Sequence, residues 1–289
     1  MSATVVGDER WAERARRCRE LAERWPFASE VLRFYEAVRE VQAEAFAAAL
    51  EARLSRDGAV EFAVTSVAPR VVEVALTHGP QPLAAAVLAC FHQMEPARAI
   101  DAWLEGAQLE AVERFLARAS VAPVLEALGE RAAELCTGPR NARHCPCCGG
   151  LPQVSFFASS PEDLVTAHRY LECARCATQW PFSRLVCAAC GESESAKLAV
   201  YSELGTLEVE LSAAVVKPGA ARSGAPASSA RFPHLRIDAC RTCLRYLLNV
   251  DRARDGRAVP LVDELGAIPL DLYAKELGLT KVVPNLMGF

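Results

Sequence analysis

Three observations predict an α+β fold, with an all-α N-terminal domain followed by two cysteine ribbons and a C-terminal helix. Apolar residues recur at helical spacing through residues 8–136, four Cys-x-x-Cys pairs fall between Cys145 and Cys243, and the segments between those pairs carry short strand-like apolar runs. The expected division is 1–140 for the helical domain, 141–183 for the first ribbon, 184–252 for the second and 253–289 for the C-terminal helix and tail. The boundary rests on the change of texture after Gly138-Pro139-Arg140.

In the first part, Trp11, Ala15, Cys18, Ala22 and Trp25 alternate steps of four and three, the stripe of an amphipathic helix that Pro26 ends. Ser29 then stands as the N-cap of a second helix, marked by Val31, Phe34, Tyr35, Val38, Val41, Ala45 and Ala49 and broken at Arg56-Asp57-Gly58. Shorter helices are expected over 70–77, 83–93, 96–104, 109–119 and 123–136. His78 and His92 have no second ligand at a helical spacing, and Cys18 lies on an apolar stripe, so these residues read as ordinary core and surface.

The cysteine region repeats itself. Cys145/Cys148, an apolar run at 154–157 and Cys173/Cys176 are echoed by Cys187/Cys190, a run at 198–201 and Cys240/Cys243. Each unit reads knuckle, strand, turn, strand, knuckle. A two-residue gap lets one tight turn aim two sulfurs at one ion, and two facing turns complete a four-thiolate tetrahedron. The repeat assigns Cys145, Cys148, Cys173 and Cys176 to one ion and Cys187, Cys190, Cys240 and Cys243 to a second; interleaved pairing stays open as the alternative. Gly149 and Gly191 supply the positive φ such turns use. Residues 217–229, rich in Ala, Ser, Gly and Pro, read as a flexible insert between the strands of the second ribbon. Residues 244–250 form a further strand candidate, 265–277 a closing helix, and 282–289 an apolar tail that docks on the body.

Composition limits the function classes. An apolar content of 52% is ample for a core, and no apolar run reaches the roughly 18–20 residues of a membrane span. The opening residues lack the basic flank and apolar run of a secretory signal, so a cytoplasmic protein without membrane insertion is expected, in which cysteine pairs serve as ligands and not as disulfides. Cys18, Cys90, Cys136 and Cys147 are left as thiols, with the Cys147 sulfur expected to point away from the ion. The net charge is −4, and residues 141–289 hold 16 Lys and Arg against 15 Asp and Glu, which disfavours nucleic acid as a partner. A closed four-thiolate shell has no open position for substrate or water. The chain also lacks a glycine-rich phosphate loop, His-Glu-x-x-His and Gly-x-Ser-x-Gly, so it reads as a non-enzyme with no catalytic residues. A binding or assembly module fits both parts; a zinc-ribbon protein acting on nucleic acid and a one-electron carrier are the alternatives.

The order of these features resembles the formate dehydrogenase accessory protein family FdhE. The resemblance is carried by Cys145-Pro146-Cys147-Cys148-Gly149, by residues 170–176 with Trp180 following, by Val186-Cys187-Ala188-Ala189-Cys190 and by Asp238-Ala239-Cys240-Arg241-Thr242-Cys243. It extends to Leu32-Arg33-Phe34-Tyr35-Glu36, Val262-Asp263-Glu264-Leu265, Leu270-Asp271-Leu272 and the ending Pro284-Asn285-Leu286-Met287-Gly288-Phe289. It implies that the ribbons are rubredoxin-like (zinc-ribbon-like) modules, holding two metal ions, iron or zinc. It implies also that the protein is cytoplasmic, contacts the catalytic subunit of a respiratory formate dehydrogenase and is needed for that enzyme's maturation. Self-association as a homodimer stays open.

Overall fold

The computed structural model of the protein describes residues 3–93, 96–158, 168–203 and 230–289. The insert expected at 217–229 lies outside the described residues.

Helices α1 (Ala3–Arg24) and α2 (Ser29–Ala52) are joined by a 3-10 turn at Pro26–Ala28. The predicted stripe is the buried one: Trp11, Ala15, Cys18 and Trp25 are all in the core. Ser29 does not cap α2. It is the first helical residue, and the N-cap is Ala28, because the preceding 3-10 turn already presents backbone to the helix start. Nor do residues 56–58 form a simple break. Arg53 takes a left-handed conformation, Ser55 Oγ accepts from the Gly58 amide, and α3 (Arg56–Phe62) starts at once. A π turn, Ala63–Val67, carries α3 into α4 (Ala68–His78), followed by α5 (Gln81–Gln93) and α6 (Pro96–Glu105).

The two helices expected over 109–119 and 123–136 are one, α7 (Ala111–Leu128), followed by a 3-10 turn at Gly129–Glu134. Pro123 sits inside α7. Its missing N–H deprives the Ala119 carbonyl of a helical donor, a defect worth about 3 kcal/mol in a helix interior. The Gln42 side chain of α2 repairs it: Nε2 donates to Ala119 O at 2.9 Å, with both groups buried. A residue 77 positions away in sequence thus keeps α7 whole.

The strands are β1 (Pro152–Phe157), β2 (Arg169–Cys173), β3 (Gln179–Phe182), β4 (Leu198–Tyr201), β5 (Leu235–Cys240) and β6 (Arg245–Asp251), with the short β7 (Thr280–Lys281) beside β6. The ribbons join edge to edge in one sheet of order β3-β2-β1-β6-β5-β4. All pairs along it are antiparallel except the seam, where β1 runs parallel to β6 with Phe156 opposite Val250. Ser155 and Asn249 meet at the seam, Nδ2 donating to Oγ at 2.8 Å, and neither side chain is exposed.

The closing helix is two short helices, α8 (Pro260–Gly266) and α9 (Ile268–Glu276). Gly266 packs so tightly on Trp25 that a Cβ there would sit 2.6 Å from the indole ring, and the chain turns directly afterwards. The tail docks as expected: Val282, Val283 and Asn285 are buried, and the Asn285 side-chain Oδ1 accepts from the amides of Met287 and Phe289.

Buried charge ties the helices to the sheet. Arg17 of α1 grips Asp263 of α8 through Nε (3.0 Å) and Nη2 (2.5 Å) and reaches Asp255 at 2.8 Å. His234 Nε2 lies 2.7 Å from the same Asp263 carboxylate. A second group joins Lys281 to Glu264 (2.6 Å) and Asp271 (3.0 Å), with Tyr246 donating to Asp271 and Gln153 donating to Glu264. The acidic residues of the 262–271 stretch are therefore structural clamps.

Two stability measurements follow. Gln42→Ala leaves the buried Ala119 carbonyl without a donor and is expected to cost about 1–3 kcal/mol in urea unfolding. Asp263→Asn leaves Arg17 with a weakened partner in a dry site and is expected to cost about 3–5 kcal/mol in the same assay.

Candidate metal centres

The eight cysteines lie in two groups of four. Cys145, Cys148, Cys173 and Cys176 converge between the start of β1 and the end of β2; Cys187, Cys190, Cys240 and Cys243 converge before β4 and after β5. Within each group all four sulfurs lie within 4.8 Å of one another, in the sequential arrangement and not the interleaved one.

The same local geometry builds every corner. The residue after each pair, Gly149, Ala177, Gly191 or Leu244, has φ between +53° and +87°. In the first and third pairs the turn closes alike: the Gly149 amide donates to Cys145 O at 2.9 Å, and Gly191 to Cys187 O at 2.9 Å. This curl turns main-chain amides toward sulfur, with Cys148 N 3.5 Å from Cys145 Sγ, Gly150 N 3.4 Å from Cys148 Sγ and Arg175 N 3.3 Å from Cys173 Sγ. Such donors favour the thiolate over the thiol.

The spacing fits a tetrahedral ion. Metal–sulfur bonds of about 2.3 Å require sulfurs roughly 3.8 Å apart. Neighbouring sulfurs are 3.3–3.6 Å apart in the first group and 3.7 Å apart in the second, well beyond a disulfide bond. The donor set, four soft thiolates in a closed shell, suits zinc or iron.

The two groups differ in surroundings. The first is fully buried, in one apolar cluster with Trp103, Leu104, Val121, Val124, Leu125 and Trp180. Trp180 Nε1 donates to Ala142 O at 2.9 Å and closes the turn from outside. In the second group Cys190 is exposed and Cys187 and Cys243 are half-buried. Arg143 links the two, donating from Nη1 to Ala189 O at 2.5 Å.

The remaining thiols stay outside both groups. Cys147 Sγ points to the Gly129 carbonyl at 3.1 Å, and Cys18 donates to Leu32 O at 3.0 Å, its thiol pushed up to about 12 by burial. Sequence reasoning overlooked Arg175, whose amide faces Cys173 and whose guanidinium reaches the Thr137 and Cys148 carbonyls at 3.2 and 3.5 Å. Its position directly before Cys176 was the available signal.

Two sulfur cages at the ends of a shared sheet, the first roofed by a helical bundle, define a cysteine-ribbon protein. No helix among the described residues is long and apolar enough to cross a membrane. Residues 144–184 match the family described as FdhE, central domain. The chain is 31% identical over 146 residues to the Protein FdhE homolog of Aquifex aeolicus (strain VF5), covering 50% of this chain and 42% of that protein. It is 30% identical over 143 residues to the Protein FdhE homolog of Pseudomonas aeruginosa PAO1, covering 50% and 38%. The matched stretch thus spans less than half the length of these curated relatives. The fold is that of the crystal structure of the FdhE protein from Pseudomonas aeruginosa, at a TM-score of 0.62 and 23% identity over 97% of this chain and 95% of that one. Residues 144–184 thus carry an FdhE central domain, and the chain is similar to FdhE proteins over about half of its length.

Gly150 tests how tightly the first cage is packed, since a Cβ there would lie 3.0 Å from Cys173 Sγ and 3.2 Å from the Arg175 stem. Gly150→Ala is expected to cost about 1–3 kcal/mol in urea unfolding. Gly256→Ala, where nothing lies within 4 Å, is expected to change stability by under about 0.5 kcal/mol.

Proposed function

We propose that the protein is a cytoplasmic accessory factor that binds the catalytic subunit of a respiratory formate dehydrogenase during its maturation, with the eight cysteines holding two structural ions. The first ion neutralises thiolates inside the core. The second keeps the Cys187 and Cys240 knuckles rigid at the surface, which lowers the ordering cost of docking. The match to the FdhE central domain and the similarity to FdhE homologs support the partner class. The observation that carries the docking role is apolar exposure beside the second cage: Leu185 is 65% exposed, Val200 58% and Leu244 54%. Leu185 and Val200 line a shallow cleft of about 120 Å³ together with Cys187 and Cys240. Large side chains left in water next to a metal-stiffened loop fit a surface completed by another protein.

The test is capture of the purified catalytic subunit on immobilised protein. Leu185→Ser with Val200→Thr, both surface changes, is expected to weaken binding about tenfold while the thermal unfolding midpoint and metal content stay put. Undiminished capture would remove this face from the interface, and no capture by the wild-type chain would remove the proposed partner.

A further inference from the structure

A separate cleft lies where the helical bundle meets the first cage. It has a volume of about 250 Å³, far above the roughly 10–15 Å³ that admits one water, and is walled by the α6–α7 loop, the 137–139 linker, the first two knuckles and the tail at 282–284. Its polar lining is rich in donors. Trp103 is 7% exposed, yet its Nε1 is buried with no acceptor among the described residues. Arg114 and Arg175 line the same space, and their guanidinium hydrogen bonds end on main-chain carbonyls: Arg114 on Leu109 at 3.3 Å, Arg175 on Thr137 and Cys148. Neither is ion-paired among the described residues. Glu105 is the one carboxylate among the described lining residues, and it is exposed.

The cleft is built around these groups. Arg175 and Arg118 lie against the Trp103 ring, 5.7 and 6.0 Å from its centroid, which holds the indole in place. Gly106, at φ +85°, makes room for Arg175: a Cβ there would come within 2.7 Å of Nη2. Burial depresses Arg114, a group that water no longer fully solvates. Arg175 also serves the cage, its amide on Cys173 Sγ and its guanidinium on the Cys148 carbonyl; Arg114 feels burial first and the Glu110 carboxylate second, and carries no such duty.

We propose that this cleft is a binding site for an oxyanion group, a carboxylate or a tetrahedral oxyanion, held between the Arg114 and Arg175 guanidiniums with the Trp103 indole N–H as a third donor. Two guanidiniums and an indole N–H offer only donors, and an anion supplies the acceptors they lack. The group arrives on a small free acid or as the terminal carboxylate of a peptide chain.

Calorimetric titration of the metal-loaded full chain, at ionic strength held constant with sodium chloride, tests this with sodium sulfate, disodium succinate, and one peptide in free-acid and C-terminally amidated forms. Saturable one-site binding of at least one anion is expected, weakened tenfold or more by Arg114→Ala and several-fold by Trp103→Phe, which keeps an aromatic ring and removes the donor. Binding of the free-acid peptide but not its amide assigns the site to a chain terminus; binding of the salts alone assigns it to a free acid. Metal content and thermal unfolding of each variant are checked alongside, and Arg114→Gln, which retains a donor for Leu109 O, substitutes if Arg114→Ala does not fold. Absence of saturable binding by the wild-type chain for every probe, or equal binding by the Arg114 and Trp103 variants, would overturn the proposal.

Discussion

Four sulfurs packed among tryptophan, leucine and valine side chains set the terms for the rest of the molecule. As thiolates they are charges taken out of water, and such charges persist only when paired and hydrogen-bonded. The amides of Cys148, Gly150 and Arg175 address part of that cost, and the Arg175 guanidinium lies close by. The larger part would fall to a divalent ion held by the four sulfurs. The first cage is a core element in the same sense as Trp103 or Leu125, and the helices that cover it cannot be considered apart from what it holds.

The second cage obeys the same turn geometry under different constraints. It lies at the far end of the sheet, with a cysteine in water and apolar neighbours that nothing among the described residues covers. A duplicated unit has thus been used twice, once as interior and once as surface. The parallel seam between β1 and β6 makes that division possible, because it joins the first strand of one unit to the last strand of the other and leaves the second cage away from the bundle.

What was legible in the chain was whatever local spacing dictates. Cys-x-x-Cys spacing sets a knuckle, and the strands between knuckles showed as apolar runs; both follow from neighbours a few residues apart. The stripe through Trp11, Cys18 and Trp25 was legible for the same reason. The misreadings arose where distant groups override local signals. Pro123 reads as the start of a new helix until Gln42 is seen to satisfy Ala119, and the split between α8 and α9 reflects how Gly266 meets Trp25. Ser29 looked like a cap because its chemistry fits, but the turn at Pro26–Ala28 had taken the role. The grip of Arg17 on Asp263, the β1–β6 seam and the donors around Trp103 all join parts of the chain with no periodic relation, so no pattern in the sequence announces them.

We propose that an ion in the first cage is part of the core while one in the second belongs to the surface. Native mass spectrometry during a chelator titration, run in parallel with amide hydrogen exchange, tests it most directly. One ion is predicted to leave early with exchange rising only in the knuckles around Cys187 and Cys240, and loss of the other to coincide with rapid exchange through α6, α7 and β1. Removal of both ions while the amides of α6 and α7 keep their protection would contradict it.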